Sequence, residues 1–151
     1  MKIQTENNFR KGTIFLEDLK IGMNRYVTKK ITEKDITIFA EVSGDHNPVH
    51  LNDEFASLTI FKKKIAHGML TASFISAVIG EYLPGRGTIY LNQTLEFFRP
   101  VFPEQNVKTS VTVDSIDYER KKVILDCRCT VEEKLVLGGI ATVLAPSNKK
   151  R

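Results

Sequence analysis

The second half of the chain constrains the fold most, because one continuous apolar segment is followed by four segments with strand patterning. The segment Gly68 to Tyr82 has almost no polar face, which predicts a helix buried on all sides. The strand segments cover residues 88–98, 107–118, 122–132 and 135–144, and apolar and polar residues alternate along them. Such alternation is typical of antiparallel strands with one face in water. We therefore expect a curved antiparallel sheet wrapped around one central helix.

The connections between these strands support the sheet. The polar stretches 119–121 and 132–134 have the length of hairpin turns. In the last strand, Gly138 and Gly139 indicate a bulge or the close approach of another backbone, because glycine otherwise only weakens a strand.

The first half of the chain predicts smaller elements that cap an open side of the sheet. Residues 24–31 have the composition of a first strand. Thr32 and Asp35 form a capping-box pattern for a helix that ends at Gly44, where a left-handed glycine is expected. A second, short helix is predicted within residues 52–57.

Length and composition describe one ordinary globular domain spanning residues 1–151. With 151 residues and 42% hydrophobic content, the chain is long enough to bury a core, and a second domain is not expected. Residues 1–12 lack a periodic pattern and are expected to be partly disordered or packed as an arm across the surface, and residues 146–151 are expected to be partly disordered. No stretch is apolar enough to span a bilayer, and the first residues lack an apolar signal core. We therefore expect a cytoplasmic protein with no membrane partner.

Cys127 and Cys129 are the two cysteines of the chain. Their spacing places both on one face of a strand, where neighbours seldom form a disulfide. Buried free thiols are therefore expected. Two thiols without a second pair or a histidine pair do not make a zinc site, so no metal is expected.

The residues that chemistry would use are concentrated between Phe39 and Leu70. Asp45 and His50 flank Asn47-Pro48, and the proline ring fixes its own φ and pushes Asn47 out of helical geometry. The resulting turn can bring a carboxylate and an imidazole to the same side of a loop, as a shared activated water requires. Taken alone, Asp45 fits a turn residue and His50 a half-buried hydrogen-bonding histidine, but the combined motif favours catalysis.

Two motifs in this region, G-D-x-N-P-x-H at Gly44 to His50 and A-H-G-M at Ala66 to Met69, resemble the signature of the MaoC-like (R)-specific enoyl-CoA hydratases. An F-x-R-P-V element at Phe97 to Val101 resembles the strand that follows the central helix in that family. The resemblance covers most of the chain. It implies an α+β fold with a single hot-dog domain, and a homodimer or higher oligomer whose sheets join edge to edge.

The resemblance also implies catalytic roles for three residues. Asp45 and His50 would hold and activate water, and the Gly68 amide would bind the thioester oxygen. The lack of a Cβ at Gly68 and its place in the first helical turn both suit that role. Syn addition to a trans-2-enoyl thioester would give an (R)-3-hydroxyacyl product, with no cofactor besides the coenzyme A or acyl carrier protein of the substrate. His67 is expected to support the loop or the helix start rather than touch substrate.

Five further residues are weaker candidates for substrate binding. Ser76 lies about two turns into the central helix and matches a serine of the family, but its hydroxyl could instead bond to a carbonyl one turn earlier. Asn47 is expected chiefly to hold the turn through bonds from its side chain to the backbone. Ile60 and Phe61 could line an acyl pocket or simply anchor a loop. Arg99 could contact coenzyme A phosphates or form an ion pair.

The net charge of +4 and the pI near 9.1 do not by themselves identify a partner. The basic residues are scattered or lie in short runs such as Lys62 to Lys64, and no helix-turn-helix pattern or aromatic-basic array is visible. A nucleic-acid partner is therefore not expected. Coenzyme A and an acyl carrier protein, both anionic, fit the charge equally well.

Three alternative functions stay open from the sequence. A 3-hydroxyacyl-carrier-protein dehydratase would use the same pantetheine-linked chemistry. A hot-dog acyl-CoA thioesterase would direct water at the carbonyl rather than at C3, although the pairing of Asp45 with His50 argues against it. A non-catalytic module would bind acyl thioesters without converting them, and Asp45 and His50 would then have no catalytic role.

Overall fold

A six-stranded antiparallel sheet forms the centre of the computed structural model, which describes residues 9–149. The strands are β1 (Asn24–Lys30), β2 (Ile89–Gln93), β3 (Glu96–Phe97), β4 (Asn106–Asp117), β5 (Lys122–Val131) and β6 (Lys134–Leu144). Their order is β1-β4-β5-β6-β2, and β3 pairs with β6 beyond the end of β2. Of the two ends expected to be partly disordered, residues 1–8 and 150–151 lie outside the described residues. Gly12 and Pro146 are held by backbone hydrogen bonds, since the Gly12 N–H donates to the Glu81 carbonyl at 2.9 Å and the Pro146 carbonyl accepts the Leu16 N–H at 2.8 Å.

In the described part of the chain, four α-helices accompany the sheet, together with one 3-10 turn at Leu16–Asp18. They are α1 (Glu33–Ser43), α2 (Pro48–Leu51), α3 (Asp53–Ser57) and α4 (Gly68–Glu81). Helix α4 packs against β4, β5 and β1. The predicted hot-dog architecture, a sheet around a central helix, is thus confirmed. Within residues 9–149, no helix has the length and apolar character needed to cross a bilayer.

The period-two pattern of β4 and β5 places their apolar residues in the core, as predicted. Val111 and Leu125 are fully buried, and so are Cys127 and Cys129. Both cysteines are free thiols. Burial raises the pKa of Cys127 to about 12 and that of Cys129 to about 11, which makes them poor nucleophiles. These thiols therefore belong to the packing of the sheet.

The predicted strand at 88–98 is wrong in one respect, because it is divided into β2 and β3. Between them, the Thr94 N–H donates to the Ile140 carbonyl at 2.9 Å, and the Thr94 hydroxyl accepts the Ile140 N–H at 2.9 Å. A Cβ added to Gly139 would lie 1.8 Å from the Thr94 carbonyl oxygen. The predicted close approach of a backbone at this glycine is confirmed, and it accompanies the break in the strand.

The prediction that α4 is buried on all sides is also wrong. The sheet covers one face of the helix, with Ile75 and Val78 buried in it. On the other face Met69 is 57% exposed, and Ser76 and Ala77 are exposed as well. An apolar composition shows that a helix has no strongly charged face, but it does not show how many neighbours cover it.

Local capping chemistry fixes where α1 begins and ends. The Thr32 hydroxyl accepts the Asp35 N–H at 3.1 Å, and the Asp35 carboxylate accepts the Thr32 N–H at 3.0 Å. Gly44 ends the helix in the left-handed region with a φ of 79°. Both predictions are confirmed, and the glycine directs the chain into the loop that carries Asp45.

Candidate active site

Asp45 lies in the loop between α1 and α2, directly after the left-handed glycine. Its backbone N–H donates to the Ser43 hydroxyl at 3.1 Å. One oxygen of its carboxylate accepts the backbone N–H of Asn47 at 3.1 Å. These bonds hold the carboxylate over a tight turn, while the residue stays exposed to solvent. The turn predicted here is confirmed, and the carboxylate is open to a ligand.

Asn47 and Pro48 begin the short helix α2, which carries His50. The Asn47 side-chain oxygen accepts the Val49 N–H at 3.2 Å, as an N-cap does, and proline takes the first helical position. The expectation that Asn47 holds the turn is therefore confirmed. Helix α2 places His50 next to Asp45.

His50 is half-buried, and a hydrogen bond determines its tautomer. Its Nδ1 lies 2.8 Å from the backbone carbonyl oxygen of Ile65. A carbonyl can only accept, so Nδ1 carries the proton and Nε2 is left as an acceptor in the neutral ring. Burial lowers the pKa of His50 from its ordinary value of 6.5, and the bond to Ile65 opposes that shift. His50 is therefore a neutral proton acceptor at neutral pH.

His67 lies under this pair and contacts both of its members. It is 2% exposed, and its ring stacks on the His50 ring with centroids 3.9 Å apart and planes at 30°. Its Nε2 lies 3.0 Å from the backbone carbonyl oxygen of Asp45. Phe39 packs against the same ring at 4.9 Å. The sequence predicted that His67 supports the loop or the helix start, but it gave no sign of the specific contacts to Asp45 and His50.

Asp45, His50 and His67 also form a group that could in principle hold a metal ion, because one ligand atom of each lies within 4.8 Å of the others. The lone pair of an imidazole nitrogen lies in the ring plane. Rings that stack at 30° direct these lone pairs along nearly parallel planes, so they do not converge on one ion at the ~2.0–2.1 Å that Zn²⁺ requires. The geometry favours a shared water over a metal centre.

Gly68 is the first residue of α4 and is exposed. The preceding residue, His67, gives the helix no side-chain cap. Its carbonyl accepts the Leu70 N–H at 3.1 Å, which leaves the Gly68 N–H, at the very start of the helix, for a ligand. A Cβ added to Gly68 would lie 2.7 Å from Cε1 of Phe97. The N-terminus of this 14-residue helix also favours negative charge. A bare backbone N–H at this position suits an oxygen that becomes anionic.

An apolar cavity of about 340 Å³ opens beside Gly68, a size typical of small-ligand pockets. Its walls come from the loop before α4, from α4 itself, from the segment after β3 and from β6, and they include Phe61, Ala66, Thr71, Phe98 and Val136. Asp45 and His50 are outside these walls. Ile65 connects the two regions, because it lines the cavity and its carbonyl accepts the His50 hydrogen bond.

Two of the predicted binding residues, Phe61 and Arg99, line this cavity. The Arg99 guanidinium donates to the Leu135 carbonyl at 2.8 Å. Ile60 departs from the expectation, because it is 87% exposed and outside the cavity. A turn at Thr59, whose hydroxyl accepts the Phe61 N–H at 3.3 Å, leaves Ile60 on the outer side.

Ser76 also lies outside the cavity, on the exposed face of α4. Sequence reasoning missed Thr71 and Phe97 as residues next to Gly68. The F-x-R-P-V element, which begins at Phe97, was the signal that could have identified the aromatic ring. Nothing in the sequence distinguishes Thr71 from other polar residues of α4.

Known proteins resemble this chain along most of its length. A family model described as "MaoC like domain" matches residues 18–133. The (R)-specific enoyl-CoA hydratase of Rhodospirillum rubrum is 47% identical over 88% of this chain and 92% of that protein. The 3-hydroxybutyryl-CoA dehydratase of Methylorubrum extorquens is 42% identical over 91% of this chain and 87% of that protein.

The fold of this chain is also similar to that of a solved structure. The unliganded R-hydratase PhaJ1 from Pseudomonas aeruginosa has a TM-score of 0.86 and 42% identity to this chain. The match covers 90% of this chain and 88% of that one. The chain therefore belongs to the MaoC-like domain family.

Proposed function

We propose that this protein adds water reversibly to trans-2-enoyl-coenzyme A thioesters and forms (R)-3-hydroxyacyl products. One observation carries the proposal: a free Nε2 on His50 and an open carboxylate on Asp45 lie together, near the uncapped N-terminus of α4 at Gly68. The names of the relatives, an enoyl-CoA hydratase and a hydroxybutyryl-CoA dehydratase, support the same reaction in its two directions.

In this mechanism one water molecule donates a hydrogen bond to Asp45 and another to Nε2 of His50. Both acceptors orient the oxygen lone pair toward C3 of the enoyl group. As the C–O bond forms, one of the two residues takes one proton from the water and delivers it to C2 from the same side, while the second proton of the water stays on the new hydroxyl group. Addition is therefore syn. Each positioned acid or base contributes on the order of 10²- to 10⁴-fold to the rate.

The thioester oxygen becomes negatively charged as water adds to C3, and we assign its stabilisation to the Gly68 N–H. Preorganised donors of this kind contribute about 10²- to 10³-fold, since they need no reorganisation during the reaction. Base, acid and oxyanion donor are all supplied by this chain. The mechanism consequently requires no metal or separate cofactor.

The cavity beside Gly68 is the proposed site for the acyl chain. Its apolar walls suit a hydrocarbon, and Phe61 and Val136 contribute to them. Arg99 stands exposed at the same cavity and is the proposed contact for a phosphate of coenzyme A. Asn47 and Ser76 stay candidates for substrate contacts, although the Asn47 side chain already caps α2.

A carrier-protein thioester is the second proposed substrate, because it presents the same pantetheine arm. One observation favours it, since Leu58 is 83% exposed and Ile60 is 87% exposed on the loop that leads to the basic residue Lys62. An acidic carrier protein with apolar side chains would be complementary to such a surface.

We propose further that the protein forms a homodimer through the edge of β2. In the sheet order of residues 9–149, β2 has a strand neighbour on one side only. Ile89 is 56% exposed and Leu91 is 46% exposed on this strand. An apolar edge strand left open would promote uncontrolled association, so pairing with a second copy is the reasonable solution.

The decisive experiment follows the loss of enoyl-thioester absorbance with trans-2-butenoyl-CoA, in wild type, Asp45→Asn and His50→Ala. A stereospecific 3-hydroxyacyl dehydrogenase identifies the product. We expect rapid loss and an (R)-alcohol with wild type, and a fall of kcat by about 10²- to 10⁴-fold in each variant. His46→Ala is the matched control, because His46 is exposed on the same loop and should keep full activity.

Other outcomes identify the alternatives. Release of free thiol from acyl-CoA would support a thioesterase. Activity seen only with carrier-protein thioesters would identify these as the substrate and leave the proposed mechanism unchanged. Tight binding of acyl-CoA without turnover, unchanged in Asp45→Asn, would contradict the enzymatic proposal and support a binding module.

A further inference from the structure

The side chain of Lys64 connects the loop before α4 to two helices. Its Nζ lies 2.9 Å from Oε1 of Glu33, in the first turn of α1, and 3.6 Å from Oδ1 of Asp53, the first residue of α3. Only 17% of this lysine side chain is exposed. Among the ion pairs of residues 9–149, no other cation contacts two carboxylates. Lys64 therefore holds α1 and α3 to the same loop.

Helix α2, which carries His50, lies between α1 and α3 in the chain and has little packing of its own. It consists of four residues, and none of them is fully buried. A helix this short is not stable by itself. Its position therefore depends on the neighbouring helices and on polar contacts to the rest of the chain.

Lys64 directly precedes Ile65, which bonds to α2 at two points. The Ile65 carbonyl accepts the Nδ1–H of His50 at 2.8 Å, and the Ile65 N–H donates to the Val49 carbonyl at 3.3 Å. Lys64, Glu33 and His50 also line one small cavity of about 80 Å³, so the ion pair lies close to the histidine. Because Lys64 and Ile65 are consecutive, a displacement of Lys64 moves the Ile65 carbonyl relative to His50.

We propose that Lys64 is a positioning residue for the hydration reaction. By holding α1 and α3 to the loop, it keeps the Ile65 carbonyl within hydrogen-bond distance of His50, which leaves Nε2 of that ring free for the catalytic water. Lys64 lies outside the walls of the cavity beside Gly68, so it acts through His50 and not on the substrate. This inference rests on the proposed function.

The lysine keeps its charge throughout the pH range of an assay. The hydrogen bond to Glu33 raises the pKa of Lys64 from its ordinary value of 10.5, against the opposing effect of burial. Deprotonation of Lys64 therefore does not contribute to a pH dependence of the rate near neutrality.

The state of His50 can be observed directly in long-range proton–nitrogen spectra of protein labelled with ¹⁵N-histidine. The chain has three histidines, and an ordinary histidine is neutral at pH 8, so the spectra report the tautomer of each ring. In the wild type His50 should carry its proton on Nδ1. In Lys64→Met, which removes the charge but keeps an unbranched side chain, His50 should populate both tautomers.

The same variant should be slower in the hydration of trans-2-butenoyl-CoA. Misplacement of reacting groups by about 1 Å can cost about 10²-fold in rate. The Ala66 N–H donates to the Val101 carbonyl at 2.7 Å, which limits how far the loop can move. We therefore expect Lys64→Met to lower kcat by about three- to tenfold, with a smaller change in KM.

Three further variants test whether the loss depends on the ion pair. Lys64→Arg keeps the charge and should restore kcat and the Nδ1–H tautomer of His50. Glu33→Gln should lower kcat in the same direction as Lys64→Met, and it tests the inference from an exposed residue even where Lys64→Met prevents folding. The double variant Glu33→Gln/Lys64→Met should be no slower than Lys64→Met, because effects of residues that share one contact are not additive.

Lys29→Met is the matched control. Nζ of Lys29 also pairs with the first turn of α1, at 3.9 Å from Oδ1 of Asp35, but Lys29 belongs to β1 and not to the loop that contacts His50. The variant loses the same charge and should keep the wild-type kcat and the wild-type tautomer of His50.

Several outcomes would overturn the inference. These are equal losses of kcat in Lys64→Met and Lys29→Met, a Lys64→Arg protein as slow as Lys64→Met, and additive losses in the double variant. A wild-type His50 protonated on Nε2, or a slower Lys64→Met protein whose His50 keeps the Nδ1–H tautomer, would also contradict it.

The results also separate this inference from the proposed function. A wild-type protein that does not hydrate enoyl thioesters overturns the function, whatever the spectra show. An active wild type with an unaffected Lys64→Met variant overturns the positioning role of Lys64 alone.

Discussion

The Nδ1–H group of His50 donates to the backbone carbonyl of Ile65 at 2.8 Å, and the Ile65 N–H donates to the Val49 carbonyl at 3.3 Å. Helix α2 and the loop before α4 are thus joined by two bonds at one residue. Ile65 also lines the cavity beside Gly68. The acid–base pair and the thioester site are coupled through this residue, so their relative position does not depend on the exposed loop alone.

The first prediction concerns pH. His50 accepts a proton only when neutral, and its pKa is lowered from 6.5 chiefly by burial, so the neutral form persists below pH 6.5. We expect the midpoint of the acid-side decline in kcat/KM to lie below pH 6.5. A pH profile of kcat/KM reports the free enzyme. A midpoint above pH 6.5 would contradict this role of His50, and His46→Ala should leave the profile unchanged.

The second prediction concerns Gly68. A Cβ at this position would lie 2.7 Å from the Phe97 ring, which is the far end of a flexible, half-exposed side chain that can move aside. Gly68→Ala should therefore fold with a Tm close to wild type. The methyl group would still obstruct the thioester, and kcat/KM should fall by about 10²- to 10³-fold, as for loss of an oxyanion donor.

Gly80→Ala provides the control for this substitution. Gly80 lies in the same helix, and a Cβ there would meet nothing within 4 Å. Its activity should stay within about twofold of wild type, because surface substitutions away from special sites have small effects. If Gly68→Ala kept full activity, the close approach of the thioester to Gly68, on which the oxyanion role depends, would be wrong.

Local chemistry explains why much of the fold and site could be predicted from the sequence. The caps at Thr32 and Gly44 and the turn at Asn47 depend on residues within four positions of one another. Asp45 and His50 are five residues apart around that turn, so their proximity follows from the same local rules. The alternation in β4 and β5 likewise specifies which face is buried.

Features that depend on distant segments could not be predicted in this way. The break between β2 and β3 results from the contact of Thr94 with Gly139 and Ile140, about 45 residues later in the chain. The stacking of His67 on His50 joins the residue before α4 to helix α2, and no sequence pattern predicts it. The exposed face of α4 likewise depends on what covers the helix, which its composition does not specify.

The third prediction concerns metal removal. The stacked rings of His50 and His67 do not direct their lone pairs to one point, and the proposed chemistry uses only groups of this chain. Dialysis of the protein against EDTA should therefore leave kcat and KM for trans-2-butenoyl-CoA unchanged. Loss of activity that added Zn²⁺ restores would show that Asp45, His50 and His67 act as a metal centre instead.

The fourth prediction concerns the open edge of β2. If two copies pair there, light scattering after gel filtration should give a mass of twice the 17.1 kDa of one chain. Leu91→Lys places a charge on this edge, which disfavours strand pairing, and it should shift the mass toward that of a single chain. Tyr118→Lys is the control, because Tyr118 is 59% exposed beside the hairpin between β4 and β5, away from the edge. A wild-type mass of 17.1 kDa, or a Leu91→Lys protein that remains twice that mass, would contradict pairing through β2.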